Sequence, residues 1–206
     1  MTEEIEIRSF KIELRADVTN PPRIEGYAAT FNVQSEDMGF REIIEPGFFD
    51  DVLSDDARAL FNHDRNFVLG RKSNGTLAMM QDATGLRVAI DPPQTQLIND
   101  LVLAPMKRGD INEMSFAFTV KPDGDRIERN KDGTVLRTLK KGGALRLYDV
   151  SIVTEPAYPQ TSAQVRSKIQ ELQQANPQAE SDGSEALTVR QMARRRRLQI
   201  ADRSIK

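Results

Sequence analysis

The chain has 206 residues, 38% of them hydrophobic, and a formal net charge of -2, enough for one domain with a real core and some surplus length but too little for two full domains. It contains no cysteine, which excludes a disulfide scaffold, a thiol nucleophile and a thiolate zinc site and fits a reducing compartment. No apolar run approaches the roughly 18 residues that span a bilayer, and the opening MTEEIEIRSF is acidic, so a cytoplasmic protein without an ordinary secretory signal is expected.

Taken in order, the first 155 or so residues alternate short β-type runs with turn signals. IEIRSFKIEL (5 to 14), RIEGYAATF (23 to 31), GTLAMMQD (75 to 82) and GLRVAID (85 to 91) read as strands of a barrel or sandwich. EPGFFDDVL (45 to 53) reads as a helix, with a proline and acids at its start. TQLINDLVLAPMKRG (95 to 109) reads as a second helix, its apolar positions recurring at three and four, with Pro105 a point where it kinks or ends.

In NEMSFAFTV (112 to 120) the alternation is sharp. Met114, Phe116, Phe118 and Val120 form a bulky face that anchors the strand, while Ser115, Ala117 and Thr119 keep the other face small. Asp123-Gly124 and Asp132-Gly133 mark hairpin-type turns, so 121 to 143 reads as an exposed excursion between two core strands. The core resumes at ALRLYDVSIV (144 to 153). Beyond Pro156 and Pro159, residues 160 to 186 are rich in Gln, Ser, Ala and Asn, which places a domain boundary near 160: a folded domain over 1–160 and a low-complexity linker and basic tail over 161–206. SKIQELQQA (167 to 175) is the best helix candidate in that tail.

Three residues stand out for chemistry. His63, the single histidine, sits in ARALFNHDRNF, where strand parity groups it with Phe61 and Ala59 and turns the ring inward. Ser115 faces the open side of its strand. Asp149 shares a strand face with Leu145, Leu147, Ser151 and Val153, and an ionised carboxylate on so apolar a face needs a partner. An imidazole N–H would serve, and an acid that holds a histidine in the right tautomer is what a serine nucleophile requires. Taken alone, Asp149 is more readily explained by a bond to Arg146, a backbone amide or a water. Asp64 is a second candidate for orienting His63, though in a strand its side chain would point away from its neighbour's ring.

Five blocks together resemble one family: IEGYAATFN (24 to 32), FREIIEPGFF (40 to 49), LFNHD (60 to 64), INEMSFAF (111 to 118) and LYDVSIVTEPAYP (147 to 159). They are similar, in order and spacing, to the procapsid (prohead) maturation serine proteases of tailed bacteriophages, themselves similar in fold to the herpesvirus capsid-maturation proteases. The resemblance implies a mainly β fold, a herpesvirus-protease-like β-barrel with flanking helices and a flexible, partly helical C-terminal tail. It also implies His63 as general base, Ser115 as nucleophile and Asp149 as orienting acid, where many relatives carry Glu. The loop from Thr154 to Ala157 becomes the candidate oxyanion hole. No cofactor and no metal are called for. The implied substrate is the scaffolding protein or a scaffold-like segment of the major capsid protein, cut inside the assembling procapsid in the host cytoplasm; self-association is an open expectation, and no membrane partner is expected.

Residues 186 to 206 hold seven basic residues against Asp202 alone. Such a run binds phosphates where it meets nucleic acid, but no aromatic stacking residue lies near it, so nucleic acid is not the expected partner. A solvated basic helix and a docking segment that holds the protein in the shell are the other readings, and a linker at 160 to 186 suits docking and self-trimming alike. Two further functions compete with the protease: a non-catalytic β-barrel assembly module that docks to capsid or scaffold through this tail, and a metal-dependent hydrolase, for which one histidine and no cysteine leave only carboxylate sites.

Overall fold

The computed structural model describes residues 4–11, 15–17, 22–155 and 161–174. The fold is mainly β. Its largest sheet has five strands: β1 (Glu6–Lys11), β9 (Glu113–Val120), β12 (Ala144–Val153), β5 (Arg58–Phe61) and β6 (Asp64–Arg71), in that spatial order. A four-stranded sheet runs β2 (Arg15–Asp17), β3 (Arg23–Thr30), β8 (Gly85–Ile90), β7 (Leu77–Gln81), and a three-stranded sheet runs β10 (Asp125–Arg129), β11 (Val135–Leu139), β4 (Arg41–Ile44).

These sheets do not close into the barrel implied by the resemblance. Among the described residues the large sheet ends on β1 and β6, each hydrogen-bonded to one neighbour within it. Strands from all three sheets instead contribute to one main apolar core, and a smaller cluster gathers around Phe40 and Val135.

The β9 strand joins sequence to core. Met114, Phe116 and Phe118 are fully buried, and the last two meet Phe49 and Phe48 edge-on at 5.4 and 5.7 Å between ring centroids, a favoured geometry for aromatic pairs. Truncation at Phe116 would leave a cavity walled by rings that cannot follow it. Phe116→Ala is expected to cost about 3 kcal/mol or more in urea unfolding; a loss under about 1 kcal/mol would show that the strand is not anchored as described.

Residues 45 to 53 are not the expected helix. They form successive turns, Phe48 N–H to Glu45 C=O, Asp50 to Gly47 and Val52 to Phe49, each spanning three residues. Gly47 has φ +86°, left-handed backbone that interrupts a helix. The turns still bury Phe48, Phe49 and Val52.

The second expected helix does form. It starts at α1 (Gln96–Ile98), capped by the Thr95 hydroxyl, passes through a π-helical turn (Asn99–Leu103) and ends as α2 (Ala104–Arg108). Pro105 neither ends nor breaks it: the preceding turn widens so that Ala104 N–H reaches Asn99 C=O, accommodating a residue with no N–H for the ladder. Gly109, at φ +82°, closes the end by donating to Met106 and Pro105.

The stretch from 121 to 143 is not simply exposed. It supplies β10 and β11, with Val135, Arg137 and Leu139 buried, because β11 pairs with β4 in parallel and becomes the middle of its sheet. Helix α3 (Ala163–Gln174) begins just past the boundary expected near 160 and includes most of 167 to 175. Val165 and Ile169 pack with Phe40 and Val135, so the helix shares the domain's apolar surface. The linker after it and the basic tail lie outside the described residues.

Five charged side chains join the large sheet to the three-stranded one. Arg8 of β1 holds Glu42 of β4 through Nε and Nη2, at 2.6 and 2.9 Å, and Glu6 at 2.8 Å. Arg137 reaches Glu6 at 2.5 and 3.0 Å, Glu42 at 3.1 Å and Asp125 at 2.7 Å. Burial alone would push both arginines down and Glu42 up, but the opposite charges and hydrogen bonds outweigh it, so both guanidiniums are raised and Glu42 is held below its usual range. The cluster clamps β1 against the body of the fold.

Candidate active site

His63 does not lie in a strand. Strand β5 ends at Phe61, β6 begins at Asp64, and these two residues pair, leaving Asn62 and His63 as a two-residue hairpin turn. Both have positive φ, 54° and 57°, as a type I′ turn requires, and Asn is a preferred first residue there. The turn is fastened to the end of β12: Asn62 N–H donates to Ile152 C=O at 2.9 Å, and the Asn62 carboxamide oxygen accepts from Thr154 N–H at 2.9 Å. The strand parity expected for His63 therefore does not apply; turn geometry aims its ring.

The ring is aimed along the large sheet. Strand β12 lies between β5, parallel to it, and β9, antiparallel, and Ser151 stands directly across from Ser115. Cross-strand partners share a face, so the two serines lie side by side. His63 Nε2 is 2.7 Å from Ser115 Oγ, and Nδ1 is 2.7 Å from Asp149 Oδ1. The three candidates, separated by 52 and 86 positions along the chain, thus meet in one hydrogen-bonded line.

The alternatives for Asp149 and His63 resolve differently. Arg146 stacks over the Tyr148 ring, 5.0 Å from its centroid, rather than serving Asp149. Asp64 accepts from the backbone and side chain of Asn66, at 2.8 and 2.9 Å. The face expected along β12 is also broken: register shifts lie between Ala144 and Arg146 and between Leu147 and Asp149, which leave Leu145 exposed while Leu147 is buried.

Burial grades the site. The His63 and Asp149 side chains keep 16% and 13% of their exposure, whereas Ser115 keeps none. Strand β1 lies along β9 with Ser9 opposite Ser115, and the Arg8 carbonyl stands 2.9 Å from Ser115 Oγ. The hydroxyl has one hydrogen and two acceptors within reach. With Nδ1–H donated to Asp149, the Nε2 lone pair faces Ser115 and can take its proton, the arrangement that makes a serine nucleophilic.

Two participants were not singled out from sequence. Ser151, fully buried, places Oγ 2.7 Å from Asp149 Oδ1 and 3.2 Å from His63 Nδ1; its position two residues past Asp149, on the same side of a strand, was the available signal. The Arg8 carbonyl had none, since the pairing of β1 with β9 is set by register across more than a hundred residues. In the segment expected to hold an oxyanion, Thr154 N–H is engaged by Asn62, Pro156 has no N–H to give, and residues 156–160 lie outside the described ones.

The family described as Caudovirus prohead serine protease matches residues 10–175, a span that includes His63, Ser115, Asp149 and helix α3. No curated protein and no solved structure matches the chain. With four-fifths of its length inside the match, the chain belongs to the caudovirus prohead serine protease family.

Proposed function

We propose that the protein is a serine endopeptidase of procapsid maturation in which Ser115 is the nucleophile, His63 the general base and Asp149 the acid that orients it. One observation carries the reading: the unbroken line Asp149 Oδ1, His63 Nδ1, His63 Nε2, Ser115 Oγ, with 2.7 Å at each gap. As the Ser115 hydroxyl attacks a peptide carbonyl, His63 takes its proton and Asp149 stabilises the imidazolium that forms. His63 then protonates the leaving amine, and a water deprotonated by the same ring hydrolyses the acyl-enzyme. Backbone N–H groups must receive the oxyanion.

Family membership supports a substrate drawn from the shell itself, the scaffolding protein or a scaffold-like segment of the capsid protein, cut inside the procapsid in the host cell. The basic tail is a docking segment that the enzyme trims from itself. A second reading, a non-catalytic module that docks through that tail, is favoured by the complete burial of Ser115 beneath the Arg8 carbonyl.

One experiment separates the two. The wild-type chain and Ser115→Ala are incubated with a fluorophosphonate and examined by intact mass. Labelling of the wild type alone, with shortening from the C-terminal end in the wild type alone, is the result expected of the protease. A wild type that stays unlabelled points to the docking module, and equal tail loss in both chains removes the self-trimming. Ser115→Ala should cost little stability; if it unfolds the domain, the hydroxyl is structural.

A further inference from the structure

Ser151 has no assigned part in this chemistry, yet its placement is hard to explain by packing. It is fully buried on the face of β12 opposite to Val150 and Ile152, which enter the apolar core, and a buried hydroxyl is costly unless it is hydrogen-bonded. Its contacts lead to the site: Asp149 Oδ1 at 2.7 Å and His63 Nδ1 at 3.2 Å. The imidazole lies against the cross-strand pair Ser115 and Ser151, with one hydroxyl at each ring nitrogen.

We propose that Ser151 is a positioning residue that fixes which carboxylate oxygen faces the ring. Asp149 follows a register shift in β12 and is paired on both sides, with Arg58 and Ala117; the strand sets where its side chain leaves the backbone but not the turn of the carboxylate, and 13% of the side chain is open to solvent. Left to itself the carboxylate can turn about its terminal bond and present either oxygen to water. The Ser151 O–H, donated to Oδ1, holds that oxygen in line with Nδ1–H; Oδ1 then takes two donors, both at 2.7 Å. A fixed Oδ1 keeps the proton on Nδ1 and the lone pair on Nε2, toward Ser115. The inference rests on the protease reading for its catalytic meaning, but the hold on the tautomer can be measured without it.

Because the chain has one histidine, its ring nitrogens can be assigned in ¹⁵N spectra of the full-length protein without ambiguity. The wild type is expected to hold its neutral ring in the Nδ1–H tautomer. Ser151→Ala, which keeps the small volume and removes only the hydroxyl, is expected to show a substantial Nε2–H population and to react with a fluorophosphonate about 10-fold more slowly, the lower end of what is lost when an outer partner of a metal-bound histidine is removed. Ser151→Thr retains a hydroxyl and is expected to restore both readouts. Wild-type ¹⁵N shifts and a labelling rate within about twofold of wild type in Ser151→Ala would overturn the assignment. So would a Thr variant that matches Ala in both readouts, which would make the position one of packing. A wild type that never labels defeats the protease reading instead, while an unchanged tautomer ratio in Ser151→Ala defeats this one.

Discussion

His63→Ala is expected to lower the rate of peptide hydrolysis by about a million-fold, the scale seen when the base of a serine triad is removed. The reason lies in the composition as much as in the geometry. There is no second histidine to take over, and Ser115 Oγ has as its other close acceptor the Arg8 carbonyl at 2.9 Å, which cannot carry a proton at neutral pH. Without the imidazole the hydroxyl stays a neutral alcohol. Asp149→Asn leaves the imidazole in place but lets the amide donate to Nδ1, which moves the ring proton to Nε2, where it faces Ser115; about a ten-thousand-fold loss is expected. Both variants are compared with wild type by cleavage of a capsid-derived peptide alongside thermal melts. Melts close to wild type with activity gone are the expected pair of results; retention of a tenth of wild-type activity in His63→Ala would exclude His63 as the base.

The second large effect is on stability. Arg137→Met fills much of the same volume but removes the guanidinium that Glu6, Glu42 and Asp125 share. Three carboxylates would then face one another with Arg8 the remaining cation of the cluster. Breaking a buried ion pair from one side costs about 3–5 kcal/mol, and the upper end is expected here.

The pH dependence has a definite sign. Glu42 is held below its ordinary value of 4.5 in the fold, so near and below that value the unfolded chain binds the extra proton. Its contribution to stability is complete at neutral pH and fades as acid approaches the depressed native value. In Arg137→Met, protonation relieves the repulsion among the carboxylates, so the deficit against wild type should narrow from pH 7 to pH 4. Urea unfolding at the two pH values measures both quantities, and a deficit that widens in acid would contradict the account.

Local alternation made much of this legible in the sequence. The bulky face of 112 to 120 follows from spacing alone, and with it the burial of Met114, Phe116 and Phe118, whereas the small face expected to be open is covered as well: Ser115, Ala117 and Thr119 are buried. His63 was legible as the single histidine; Ser115 and Asp149 joined it as a set because five short blocks keep a familiar order. What failed were inferences that assumed regular backbone. The parity argument put His63 on a strand face, whereas Asn62 and His63 adopt positive φ. The face drawn through Leu145 and Asp149 ignored register shifts that composition does not reveal. Gly47 undid a helix that the acids and apolar spacing of 45 to 53 suggested. The charged cluster was invisible for a different reason: nothing in local spacing marks Glu6, Arg8, Glu42 and Arg137 as partners before three strands from distant parts of the chain bring them together.

Strand β1 has a consequence for timing. It leaves the ribosome well before its sheet partner β9, which begins more than a hundred residues later, and the Arg8 carbonyl meets Ser115 across 107 positions. His63 likewise waits 86 residues for Asp149. A nascent chain therefore cannot hold the assembled line of side chains until translation has passed β12, and contacts that close such long loops are slow to form. In a cell filling with shell subunits, the interval between synthesis and a competent site is written into the order of the strands.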